Sequence, residues 1–273
     1  MSKSRLNGIV HEVNAYRMAY RAGNSGLLKS RFRATQMADH DKTSPARRQF
    51  VNFSFFKIQP EWRRLSMDAR RDHKEEVARV LQRWCNEDMG ILTYSTSGFR
   101  ADCDFMLWRI CYSLDCLNAA HTDLIRTQLG GYLEVTHSFL GTTKRSQYLI
   151  GQEHENDLSL RGYIKPGGKR YLIVFPFAKT REWYRRPFED RQRIVHEQIS
   201  AAGEFRSVRM NTIYSFGLDD HEFVIALETD RPEDVVDMTM RLREVENSVF
   251  ILHDSPRLTA LKVTPEEMLE RLG

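Results

Sequence analysis

Cysteine is scarce in this chain of 273 residues, and its four copies are scattered. Cys85, Cys103, Cys111 and Cys116 form no CxxC pair and no CxxCH signature of a covalently attached cofactor. Reduced, buried, structural thiols are expected from that spacing. Long apolar runs are missing too, which excludes a helical membrane span. The basic start Met1-Ser2-Lys3-Ser4-Arg5 is not followed by the apolar core of a secretory signal, so a cytoplasmic location is expected. Nor is there a block of one charge. The net charge is +4, with its excess in the first fifty residues and in scattered arginine pairs. That distribution suits a solvated surface better than a nucleic-acid partner. What is present, 41% hydrophobic and 29% charged residues, is enough for one large domain or two small ones with real cores.

Residues 1–48 read as an N-terminal extension. Leu6, Ile9, Val10, Val13, Tyr16, Met18 and Tyr20 could form one amphipathic helix stopped by Gly23-Asn24-Ser25-Gly26, and Asp39 to Arg48 reads as a linker. From Phe50 the pattern sharpens. Phe50 to Ile58 is a strand by aromatic and β-branched content. Ser66 suits the N-cap of a helix reaching about Cys85, with Val77, Val80, Leu81 and Trp84 on one face. Strands Gly90–Ser95 and Cys103–Tyr112, a helix Ser113–Gln128 and a strand Tyr132–Leu140 complete a β-α-β-β-α-β order over residues 49–141.

After a polar connector, 142–168, the same order returns over 169–273. Arg170–Phe177 is a strand and Pro187–Ala202 a helix. Phe205–Phe216 and Glu222–Thr229 are strands, Pro232–Glu246 a helix, Ser248–His253 the last strand and Thr264–Leu272 a short helix. The halves also share letters: Phe56 to Arg64 lines up with Phe177 to Arg185, and Asp102 to Phe105 with Asp220 to Phe223. The expected class is α+β, two fused ferredoxin-like modules (βαββαβ twice) that build a dimeric α+β barrel within one chain.

Chemistry is expected in the second half. In the helix after Pro187, the residues Phe188, Val195, Ile199 and Ala202 make an apolar stripe, and His196 lies at its edge. In the repeat register Glu75 stands where His196 stands, so a single site is expected and the first module carries no ligand. Trp183 and Tyr184 suit the lining of a flat aromatic ligand, and Lys179 can meet acidic groups. Glu246 could accept the other N–H of the His196 ring. No second histidine or cysteine stands at zinc spacing, whereas one axial histidine is what a haem requires.

Several of these runs together resemble the chlorite dismutase family, which includes the coproheme decarboxylases. They are Tyr171 to Lys179, Glu182-Trp183-Tyr184, the helix with His196, Ser215-Phe216-Gly217-Leu218-Asp219-Asp220 and Leu242 to Ser248. The resemblance covers about residues 50–272 and is strongest from Tyr163 onward. It implies a haem-dependent oxidoreductase, chlorite dismutase-like or peroxidase-like, with haem b or alternatively coproheme in the second module. It further implies a homo-oligomer, commonly a pentamer, with a small-molecule substrate and no membrane or nucleic-acid partner. His196 would be the proximal iron ligand, Glu246 its hydrogen-bond acceptor, and Lys179 would meet a propionate beside Trp183 and Tyr184.

Two places depart from the family pattern. Its catalytic arginine falls on Met210 when counted back from Gly217, and on Arg209 when counted forward from His196. Strand continuity favours Met210 facing the haem, with Arg209 facing it if a bulge intervenes. The tyrosine of the decarboxylases corresponds to Phe175, which has no phenolic hydrogen. Chlorite or peroxide chemistry, coproheme decarboxylation and a haem carrier or sensor therefore all stand as expectations.

Overall fold

Alternation along one strand sorts the whole architecture. In β1 (Phe50–Ile58), Val51, Phe53 and Phe55 point into one buried cluster with Tyr94, Met106 and Trp108, while Phe56 and Ile58 join another with Trp62 and Leu81. The protein is described here by a computed structural model covering residues 47–86, 89–149 and 163–273. The helix expected between Leu6 and Tyr20 lies outside the described residues.

β1 is central to the first module. It pairs antiparallel with β3 (Phe105–Cys111) at Phe53↔Trp108 and with β4 (Leu133–Thr142) at Phe53↔Phe139. β2 (Met89–Ser95) flanks β3, so the spatial order is β4-β1-β3-β2. Helices α1 (Met67–Trp84) and α2 (Leu114–Ile125) cover one face. Ser66 caps α1 as expected, its side chain accepting from the Ala69 N–H at 3.2 Å.

The second module repeats the order as β6-β7-β5-β9. Its elements are β5 (Tyr171–Lys179), α3 (Arg181–Arg185), α4 (Phe188–Gly203), β6 (Arg209–Tyr214), β7 (Phe223–Thr229), α5 (Pro232–Glu244), β8 (Ile251–His253), β9 (Leu258–Val263) and α6 (Pro265–Glu270). Pairings Thr93↔Val263 and Thr142↔Tyr214 join the modules at both edges, so all the described strands except β8 close into one barrel. The inner cluster, with Phe53, Trp108, Leu172, Val224 and Leu258, fills the barrel, and the helices pack outside it.

Two expectations need correction. Ser248–His253 is not the fourth strand of the second module. Residues Glu246–Phe250 form a 3-10 turn, and the three-residue β8 only extends the end of β5. The fourth strand is β9, where Leu258 and Ala260 alternate inward and are fully buried. The strand expected over Phe205–Phe216 begins only at Arg209, because Phe205 and Val208 hydrogen-bond back to Ala202 and Phe205 in turns.

Candidate functional site

On the outer side of the second module, β5 and β7 alternate so that Ile173, Phe175, Ile225 and Leu227 face α4 and α5. Phe177, Phe223, Phe205, Met210 and Leu242 pack on them only partly buried, so the apolar layer between sheet and helices, hereafter the crevice, is only partly closed. Phe175 is buried there, with the guanidinium of Arg257 4.2 Å from its ring centre.

The crevice-facing residue after Phe177 on β5 is Lys179. It is 7% exposed, and its Nζ lies 3.6 Å from the centre of the Trp183 ring, itself buried against Ile194 and Phe250. Nζ also donates to Asn247 Oδ1, and Asn247 Nδ2 donates to Gln198 Oε1. Among the described residues no carboxylate pairs with the Lys179 ammonium, and burial pulls its pKa down to about 7 against a smaller upward pull from Glu222. Glu222 instead accepts the Lys179 backbone N–H at 2.8 Å and the Tyr184 hydroxyl. Burial and that carboxylate together push the Tyr184 phenol well above its ordinary value.

Helix α4 delivers a different residue from the one its sequence suggests. Ile194 and Ala201 are its buried positions, while Phe188 and Ile199 are 38% and 37% exposed. The true stripe is thus rotated from the expected one, and Gln198, a turn after Ile194, lies on it. His196 sits two residues after Ile194, roughly 200° around the helix. Its Nε2 is 2.9 Å from the Tyr148 carbonyl, to which it donates. The expected pairing of His196 with Glu246 does not form. Arg193, three residues before His196, reaches Glu246 at 2.7 Å with a charge-assisted bond, and Arg186 approaches it at 3.9 Å.

β6 separates its first two side chains by parity. Register with β7 runs Arg209↔Glu228 and Met210↔Leu227 without a bulge. Met210 packs in the crevice cluster. Arg209 turns to the other face, where Nε is 3.8 Å from Glu228 and Nη2 donates to the Lys165 carbonyl. Glu228 is fully buried there and also accepts from the Gly167 and Gly168 N–H groups.

The structure therefore puts Phe175 and Met210 in one apolar cluster and Trp183 and Tyr184 in a second, with the Lys179 ammonium between the rings of Phe177 and Trp183, and leaves His196, Glu246 and Arg209 turned to other partners. Gln198, Asn247 and Glu222 belong to the site and were not among the expected residues. For Asn247 a signal existed, since it stands beside Glu246 in a run already singled out. A polar residue on a buried stripe, such as Gln198, becomes visible only once the helix phase is known.

Residues 70–263 match the family described as chlorite dismutase. The chain is 28% identical over 231 residues to a coproheme decarboxylase of Mycolicibacterium smegmatis, covering 82% of this chain and 94% of that protein. It is 27% identical over 240 residues to a chlorite dismutase of Ideonella dechloratans, covering 86% and 84%. In structure it superposes on chlorite dismutase from Candidatus Nitrospira defluvii in complex with imidazole, with a TM-score of 0.75 at 24% identity over 82% of this chain and 94% of that one. That last likeness speaks for the fold alone.

Proposed function

The chain belongs to the chlorite dismutase family, and from that premise we propose a haem-binding oxidoreductase acting on a small oxidant, chlorite or peroxide. Enzymes of this family use haem b or coproheme, and either would lie in the crevice between the β5–β7 face and helices α4 and α5. The observation that carries this is Lys179, a buried ammonium whose direct partners are an indole face and a neutral amide. A flat ligand bearing carboxylates would supply the anion, while Phe177, Phe223 and Met210 would lie along its apolar ring.

The residues fit the ring better than they fit the iron. The α4 side chain that reaches the Lys179–Asn247 pair is Gln198, an amide and a poor match for the imidazole that holds haem iron in histidine-ligated proteins. His196 would face the crevice only if α4 turned roughly 160° about its axis. These positions do not fit a histidine-ligated iron. Haem, when bound, brings redox chemistry at its iron; the chain's own part is the seat, with Lys179 meeting a carboxylate and the aromatic residues excluding water.

Titration with haem b and with coproheme tests the seat. A saturable Soret band is expected, with affinity at least about tenfold weaker in Lys179→Ala. A spectrum that stays that of free haem throughout removes the proposal. Oxygen evolution from chlorite then tests the oxidant.

A carrier or sensor is the second function we weigh, because Met210 lines the crevice while Arg209 turns to Glu228. Retained haem with no oxygen from chlorite would favour it. Phe175 weighs against coproheme decarboxylation, the activity for which the Mycolicibacterium relative is named; an unchanged coproheme mass after peroxide would end that alternative.

On the same reading the protein works in the cytoplasm as a homo-oligomer, a pentamer by family resemblance, without nucleic-acid or membrane partners. Apolar side chains at the surface, such as Val236 and Met240 on α5, support self-association. Among the described residues no helix is long and apolar enough to cross a membrane. Light scattering of the purified protein gives the subunit number directly.

A further inference from the structure

The internal repeat shows what the second module gave up to hold Lys179. In the register that sets Phe56 against Phe177, Ile58 stands at the place of Lys179, Trp62 at that of Trp183 and Val77 at that of Gln198. A backbone bond fixes one more pair. Gln59 N–H donates to the Tyr132 carbonyl and Thr180 N–H to the Phe250 carbonyl, each at 2.9 Å, which sets Leu129 against Asn247. In the first module Ile58, Trp62, Val77 and Leu129 are buried together in one apolar cluster. The fold therefore closes at these positions without a polar atom beyond the indole. The second module keeps the tryptophan and replaces the others by an ammonium and two amides, with Lys179 and Asn247 both buried. Such groups cost free energy to bury where apolar side chains do not.

The bonds among them run in one direction. Lys179 Nζ donates to Asn247 Oδ1, and Asn247 Nδ2 donates to Gln198 Oε1. Both amide oxygens are thereby engaged. What remains to meet a ligand is hydrogen: the other ammonium N–H groups of Lys179 and the side-chain N–H groups of Gln198. A carboxylate is the complement of such a set. A metal is not, because it needs a lone pair, and neither an ammonium nor an amide nitrogen offers one. Met210 packs in the other cluster, and in cytochromes such a thioether holds haem iron together with a histidine, which none of these positions supplies.

We propose that the second module recognises a planar tetrapyrrole by its carboxylates and ring alone, so that a metal-free porphyrin is bound as well as its iron complex. This rests on the reading that the module seats a flat ligand bearing carboxylates. Lys179 pairs with a carboxylate, and Gln198, held in place by Asn247, adds a neutral donor. Gln198 is then the residue that sets the preference: with an amide there, the metal at the ring centre contributes nothing to affinity. The ligand class widens accordingly, from haem to porphyrin carboxylates in general.

The test compares two ligands that differ only in the metal, protoporphyrin IX and haem b, titrated into the full chain and followed by quenching of tryptophan fluorescence. Their dissociation constants should agree within about threefold, and Lys179→Ala should weaken both by about tenfold. Gln198→His should separate them, tightening haem about tenfold while leaving the metal-free ring within about threefold of its wild-type value. A wild-type preference of about tenfold or more for haem overturns the inference and leaves the seat standing. A Gln198→His variant that still treats the two alike also overturns it. Equal affinities that Lys179→Ala does not change, or no saturable binding of either ligand, remove the seat itself and the inference with it. The comparison of the two ligands on the wild type stands even if a variant fails to fold.

Discussion

Asn247 donates its side-chain N–H to Gln198 Oε1 and accepts the Lys179 ammonium on its own oxygen, so one asparagine ties helix α4 to the last residue of β5. His196 takes no part in that chain of bonds. Two substitutions separate these roles. His196→Ala is expected to leave the haem titration and its spectrum unchanged, since the imidazole is held by the Tyr148 carbonyl. Gln198→His should place an imidazole beside the Lys179–Asn247 pair, tightening haem binding about tenfold or more, equivalent to about 1.4 kcal/mol, with the spectrum of an axial histidine. If His196→Ala abolishes the Soret band while Gln198→His does nothing, α4 presents its other side when haem is bound.

Lys179 makes a prediction about pH. Burial holds its folded pKa near 7, against about 10.4 for lysine in an unfolded chain. Between those values the unfolded chain binds more protons, so this group makes stability rise with pH from about 7 to about 10. Below 7 the cost of burying the ammonium is fully present. Lys179→Met should therefore be more stable than the wild type at pH 6, with an advantage that shrinks at every step toward pH 10. Haem affinity should run the other way in the wild type, falling above pH 7 as the ammonium that would meet a carboxylate is lost. Urea unfolding and Soret titration over the same pH range check both slopes. Parallel pH profiles in wild type and variant would mean that Lys179 titrates elsewhere.

What was legible in the sequence was what local chemistry determines. The aromatic alternation of Phe50–Ile58, the Ser66 cap and the letters shared between Phe56 and Phe177 each predict their surroundings without distant information, and together they led to the duplicated module. The phase of α4 was not local. Phe188, Val195 and Ile199 look like a better apolar stripe than Ile194 and Ala201, and Gln198 looks like a solvent residue. Its partner Asn247 is 49 residues away, and a buried amide is recognisable only beside the group that satisfies it. β9 was missed for a similar reason. Thr259, Ala260 and Lys262 give it weak strand character, and it is its pairing with both β2 and β5 that makes it a strand. Along β6 the strand keeps parity, which puts Met210 with Phe205 and Phe223 and turns Arg209 to Glu228, whereas a count from α4 must cross the turns at Phe205 and Val208, which keep no such parity.

That parity gives a final test, since Arg209 and Met210 should fail in different ways. Glu228 is 1% exposed and keeps the Gly167, Gly168 and Asn211 donors when Arg209 is removed, but it loses its cation. Arg209→Leu is therefore expected to lower stability by about 2 kcal/mol, measured by urea unfolding. The same variant should bind haem with unchanged affinity, and any oxygen evolution from chlorite should stay within about twofold of the wild type, because the guanidinium is on the other side of the sheet from the crevice. Met210→Ala should do the reverse. Its side chain is only partly buried among Phe177, Phe205 and Phe223, so the loss of stability should stay within about 1–2 kcal/mol, while haem affinity or the position of the Soret band shifts. A tenfold fall in turnover for Arg209→Leu, with unfolding unchanged, would put the arginine in the crevice and require a bulge at the start of β6.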